Sequence, residues 1–98
     1  MTASPISVLL FEDDEGQALL VKEALEKDGF TVEVSSTGRQ GLERVIARDY
    51  GVYLIDMKLP DIRGVDVLRR ITTIKPEAIC IIVTGHGDEV AAVEAMKV

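Results

Sequence analysis

Two periodicities alternate along this 98-residue chain. Short runs that are almost wholly apolar give way to longer stretches in which apolar residues recur every three or four positions. The first pattern predicts parallel strands and the second crossover helices, so their alternation predicts an α/β fold built on a parallel sheet. Strands are expected from Ile6 to Glu12, Thr31 to Ser35, Gly51 to Asp56 and Ile79 to Thr84. The second is an outer strand, with Val32 and Val34 facing in and Glu33 out.

The helical stretches run from Glu15 to Asp28, from Thr37 to Arg48, from Val65 to Lys75 and from Asp88 to Lys97. Their apolar stripes are Ala18, Leu19, Val21, Ala24 and Leu25, then Leu42, Val45 and Ile46, then Val67, Leu68, Ile71 and Ile74, and finally Val90, Val93 and Met96. Stop and start signals agree. Asp14 and Thr37 are placed to cap the first two helices, with Gln17 and Gln40 three residues on, and Gly29 ends the first. Pro76 disfavours helix for the residue before it. Pro60, Asp61 and Gly64 mark the stretch after Asp56 as a loop, and Gly85 to Gly87 is a turn.

Three of the apolar runs end on oxygen-bearing side chains: VLLF on Glu12, Asp13 and Asp14, VYLI on Asp56, and ICIIV on Thr84. Parallel strands put these tips at one sheet edge, where open α/β sheets bind ligands. Capping accounts for Asp14 but not for three consecutive acids, so Glu12 and Asp13 are free to face that edge. Carboxylates gathered from separate segments repel unless a cation sits among them, and Mg²⁺ prefers such oxygen ligands. With the charge neutralised, Asp56 can act as a nucleophile toward phosphorus. Thr84 alone reflects β-propensity; beside Asp56 it can hydrogen-bond a phosphoryl oxygen, and Gly85 leaves a phosphate room to approach. Lys58 has a solvated side chain and a carbonyl that can serve a metal. His86, in a glycine-flanked turn, is read as an exposed loop residue without a catalytic role.

Composition narrows the classes. The length fits one domain, residues 1–98, and 47% hydrophobic with 29% charged residues is the mixture of a folded chain. A net charge of −6 gives no general support for binding a nucleic-acid backbone. Cys80, the single cysteine, reads as a small buried thiol in a reducing cytosol. No run approaches the roughly 18 apolar residues of a membrane span, and the N-terminus lacks a signal-peptide pattern. A cytoplasmic location with no membrane partner is expected.

The pieces VLLFEDD, LIDMKLPDIRG and IIVTGHGD followed by AVEAMK resemble the receiver domain of bacterial two-component response regulators, in particular the NtrC-like subgroup. That resemblance implies a flavodoxin-like (CheY-like) doubly wound sheet. It implies that Asp56 accepts a phosphoryl group from a sensor histidine kinase. Glu12, Asp13, Asp56 and the Lys58 carbonyl would hold Mg²⁺, and Thr84 would be the switch hydroxyl. The role would be signal transduction and transcription regulation by a phosphoprotein. It would not be an enzyme beyond assisting its own phosphorylation and dephosphorylation.

The family pattern continues into a fifth strand and fifth helix, with a lysine that pairs with the phosphate. No residue here takes that lysine's place, since Lys97 comes too early. The expectation is therefore a receiver truncated before the fifth strand, with four strands in order 2-1-3-4 and about four helices. Two functions stay open: an Asp56 phosphoacceptor, or a phosphorylation-incompetent fragment that assembles through its exposed fourth strand or fourth helix. An aspartate-nucleophile phosphatase fits less well, because Lys58 stands where the second Asp of its Asp-x-Asp pair belongs.

Overall fold

The computed structural model describes residues 5–84 and 92–96. Strands β1 (Ser7–Phe11), β2 (Thr31–Ser35), β3 (Val52–Asp56) and β4 (Cys80–Thr84) alternate with helices α1 (Glu15–Lys27), α2 (Gly38–Ala47) and α3 (Gly64–Ile74), and β5 (Ala92–Met96) follows. The sheet order is β2-β1-β3-β4-β5. The first four strands are parallel, as expected from the apolar runs of β1, β3 and β4, with the alternating β2 at the outside. The pairs Phe11 with Ser35 and Phe11 with Ile55 bring the ends of β2, β1 and β3 level.

The segment Ala92–Met96 corrects one expectation. The sequence pattern predicts part of a fourth helix there, but the segment forms a strand antiparallel to β4, with Thr84 opposite Ala92 and Cys80 opposite Met96. Helix propensity is a weak prior, whereas an unpaired strand edge leaves a row of backbone N–H and C=O groups without partners. Pairing with β4 satisfies that row. The described residues therefore contain three helices, and the β4 edge proposed as a self-association surface is covered by the chain's own β5. The turn at Gly85 to Gly87, with His86, and residues 88–91 and 97 of the expected fourth helix lie outside the described residues.

Each sheet face has its own core. On one, α1 covers Val8, Leu10 and Val32 with Ala18, Val21 and Leu25. On the other, α2 and α3 lie side by side and bury Phe11, Val45, Tyr53, Ile55, Val67 and Ile71. Cys80 belongs to this second core, where burial pushes its thiol up to about 11 and keeps it unreactive. The stripes are narrower than predicted. Leu19 is 54% exposed, Ile46 69% and Ile74 41%. Glu33, expected to face out, lies against α2: Arg48 Nη1 donates to it at 2.8 Å and the Tyr50 hydroxyl donates to its other oxygen. A half-buried carboxylate is tolerated there because it is paired, and burial together with Glu33 pushes the Tyr50 hydroxyl up to about 12.

The N-terminal caps form as predicted, except that the Asp14 N–H donates to Glu12 Oε2 and not to the Gln17 side chain expected to reach back to it. Asp14 Oδ1 accepts the Gln17 N–H at 3.0 Å, and Thr37 Oγ1 accepts the Gln40 N–H at 3.1 Å. At the far end of α1, Gly29 donates to the Glu26 carbonyl and Phe30 to that of Leu25, closing the helix. Thr37→Ala removes one of these acceptors and is expected to cost about 0.5–2 kcal/mol. Urea unfolding checks it; an unchanged midpoint would show that the hydroxyl does not stabilise the helix.

Candidate functional site

Glu12 and Asp13 follow β1 directly, and Asp56 is the last residue of β3. Because Phe11 pairs with Ile55, the next residues along the two strands, Glu12 and Asp56, stand side by side at the carboxyl edge of the sheet. The Glu12 N–H still donates to the Ser35 carbonyl at 3.0 Å, which extends the β1–β2 ladder by one residue and fixes the backbone there. One carboxylate oxygen from each of Glu12, Asp13 and Asp56 lies within 4.8 Å of the other two. The acids expected to converge do so.

Crowding shows in the acidity of Glu12. Its carboxyl is raised to about 7, first by burial, and further by the charge and close approach of Asp56 and the charge of Asp13; the Asp14 N–H, donating at 3.2 Å, works in the other direction. Two full negative charges about 5 Å apart repel by roughly 3–4 kcal/mol at an effective dielectric of 20, before salt screening. Screening reduces this, but the repulsion still disfavours three bare anions together. A proton on Glu12 relieves the strain, and a divalent cation would relieve it more fully. Hard oxygen donors at mutual ligand spacing fit Mg²⁺.

The loop after β3 completes the geometry. The Lys58 N–H donates to Asp56 Oδ1 at 3.2 Å, and the Lys58 side chain is exposed, as expected. The Gly64 N–H donates to the Met57 carbonyl at 3.1 Å, and Lys58 forms a bridge with Arg63, so the loop stem is closed. At the other neighbour, Asp56 pairs with Val83, which places the backbone of Thr84 just beyond it. The Thr84 side chain, expected as the switch, lies outside the described residues.

The sequence reading missed one acid. The sequence marks Asp61 only as a turn former, yet its two oxygens accept the Gly38 and Arg39 N–H groups at 2.8 and 2.9 Å. These partners are more than twenty residues away in the chain. The available signal was indirect: the first turn of α2 contains no acid of its own.

A family model for the response regulator receiver domain matches residues 8–98. The chain is 34% identical over 97 residues to the C4-dicarboxylate transport transcriptional regulatory protein DctD of Rhizobium meliloti, covering 99% of this chain and 21% of DctD. It thus spans about a fifth of that relative's length. Among solved structures, it resembles a CheY-like receiver domain protein from Methanospirillum hungatei, with a TM-score of 0.81, 30% identity and coverage of 87% of this chain and 68% of the other. It also resembles response regulator protein TrrA from Thermotoga maritima in complex with Mg²⁺-BeF, with a TM-score of 0.77, 25% identity and coverage of 79% and 67%.

Proposed function

The chain belongs to the response regulator receiver domain family, and on that premise we propose that it is a phosphoacceptor module whose Asp56 takes a phosphoryl group from a sensor histidine kinase in the cytoplasm. The observation that carries the reading is the convergence of Glu12, Asp13 and Asp56 within 4.8 Å at the carboxyl edge of the sheet. The likeness to TrrA, solved with Mg²⁺-BeF, supports it. Glu12, Asp13 and Asp56, with the Lys58 carbonyl, would hold Mg²⁺. When bound, the ion supplies positive charge that offsets the charge on the phosphoryl oxygens.

The chain's own groups then divide the work. The Lys58 N–H restrains Asp56 Oδ1 and leaves Oδ2 to attack. An oxygen–phosphorus bond forms at Asp56 as the nitrogen–phosphorus bond of the kinase phosphohistidine breaks, its electron pair leaving with the imidazole. Glu12 and Asp13 stay unmodified because they balance the cation. Thr84, beyond Val83 on the neighbouring strand, is the hydroxyl that meets the new phosphoryl group, and that added contact is what distinguishes the two signalling states.

Acetyl phosphate with Mg²⁺ tests the reading without a kinase. The expected result is one phosphoryl group per chain, found on the peptide containing Asp56 and lost when the metal is chelated. No mass gain under conditions that phosphorylate a competent receiver would overturn it.

Mg²⁺ affinity should also depend on pH. Glu12 must lose its proton to bind the ion, and that proton is held up to about 7, above the ordinary 4.5. Affinity is therefore expected to weaken as pH falls below 7, with proton release on binding. In the absence of metal the folded state binds the Glu12 proton more tightly than the unfolded state, so stability falls as pH rises from 4.5 to 7. Calorimetric titrations on either side of 7 check the first statement. A flat profile would show that Glu12 gives up no proton when the ion binds.

A further inference from the structure

Asp61 lies outside the acidic cluster, yet the loop it belongs to starts at Asp56 and carries Lys58. We propose that Asp61 is a positioning residue: its carboxylate clamps the loop of residues 57–63 to the start of α2 and so holds Asp56 and the Lys58 carbonyl in the arrangement that takes Mg²⁺. This rests on the phosphoacceptor reading above.

The clamp is bidentate. Asp61 Oδ1 accepts the Gly38 N–H at 2.8 Å and Oδ2 the Arg39 N–H at 2.9 Å. Both donors belong to the first turn of α2, where unpaired N–H groups and the helix dipole favour a carboxylate. The Arg39 N–H has the largest effect on the Asp61 carboxyl; burial opposes it, and the Gly38 N–H adds to it, so that the carboxyl is held below its ordinary range. The loop sits close on the helix start, since a Cβ at Gly38 would lie 3.1 Å from both Ile62 Cβ and Val67 Cγ2. Because the Gly64 N–H to Met57 carbonyl bond and the Lys58–Arg63 bridge tie the loop stem, fixing the tip at Asp61 restrains the stem as well. That stem holds both the Lys58 N–H on Asp56 and the Lys58 carbonyl.

A residue that merely capped α2 would affect stability alone. The Thr37 hydroxyl already caps the same turn by accepting the Gln40 N–H, a bond within α2 and its cap, which makes Thr37→Ala the matched control. In Asp61→Ala, Mg²⁺ affinity is expected to weaken about tenfold, the lower end of what groups that orient metal ligands contribute. Asp61→Asn keeps one acceptor oxygen and should recover part of that loss, and Thr37→Ala should leave the affinity unchanged. Amide hydrogen exchange gives a readout independent of the metal: Gly38 and Arg39 should lose protection in Asp61→Ala, and Lys58 and Gly64 with them.

If the parent chain binds Mg²⁺ and Asp61→Ala and Asp61→Asn bind it equally well, the clamp has no bearing on the site and the proposal falls while the phosphoacceptor reading stands. The same holds if Lys58 and Gly64 keep their protection. If the parent chain binds no better than Asp13→Ala, the phosphoacceptor reading fails, and the proposal with it.

Discussion

Asp56→Asn is expected to abolish phosphoryl uptake from acetyl phosphate and, without metal, to raise the unfolding temperature. The amide matches the carboxylate in shape and can still accept the Lys58 N–H, so the loop stem keeps its hydrogen bond. What it lacks is an anionic oxygen able to attack phosphorus. It also removes one of three clustered negative charges, which at this spacing is worth on the order of 1 kcal/mol to the metal-free fold after screening. The charge and contact of Asp56 help to raise Glu12, so the Glu12 carboxyl should fall back toward its ordinary value. It should not reach it, because burial, the largest cause, remains. Intact-mass measurement and thermal unfolding in chelator read the two effects. Uptake at the parent level would move the acceptor elsewhere, and a lower unfolding temperature would mean that the Asp56 carboxylate supports the fold instead of burdening it.

The strands β1, β3 and β4 were legible because burial on both faces leaves little room for polar residues, β2 was legible from its alternation, and the carboxylates after β1 and at the end of β3 located the sheet edge. The first three helices were legible in position and, apart from the margins of each stripe at Leu19, Ile46 and Ile74, in the face they bury. In α2 the buried face runs through Gly38, Gly41, Leu42 and Val45, a spacing of one, four, five and eight. Counting apolar side chains overlooks glycine and pulls the inferred face toward Ile46, which in fact points to solvent. A Cβ at Gly41 would lie 2.0 Å from the Phe11 ring, so small size is what brings this helix onto the sheet. In α3 the buried face likewise begins on Gly64. Two features could not be read from local pattern at all. The pairing of Ala92–Met96 with β4 answers to an edge that exists only once the sheet has formed. The Asp61 contact joins a turn to a helix start across the fold. The acidic triad was legible for the opposite reason: its residues terminate strands whose direction the sequence already predicts.

Gly64→Ala is expected to damage fold and site together. A Cβ at this position would stand 2.6 Å from the Asp56 carbonyl oxygen, 2.9 Å from Met57 Cα and 3.2 Å from the Asp56 carbonyl carbon. All three are backbone atoms, so no side-chain rotation can make room. Either the first turn of α3 lifts away from β3, or the Asp56–Met57 peptide moves. Lifting the helix pulls Val67, Leu68 and Ile71 out of register with the core they fill. Moving the peptide breaks the Gly64 N–H to Met57 carbonyl bond and shifts the Lys58 N–H off Asp56. Overpacking of this kind costs about 1–3 kcal/mol, and the upper end applies because the obstruction is rigid; for a domain of this size that lowers the unfolding temperature by roughly 10 °C or more. Urea unfolding reads the first effect. The second is read below the unfolding transition, where the remaining folded protein should take up phosphate from acetyl phosphate more slowly than the parent chain. A variant equal to the parent in both would show that the contact between α3 and the end of β3 is looser than these distances require, and that Asp56 does not depend on the helix start for its placement.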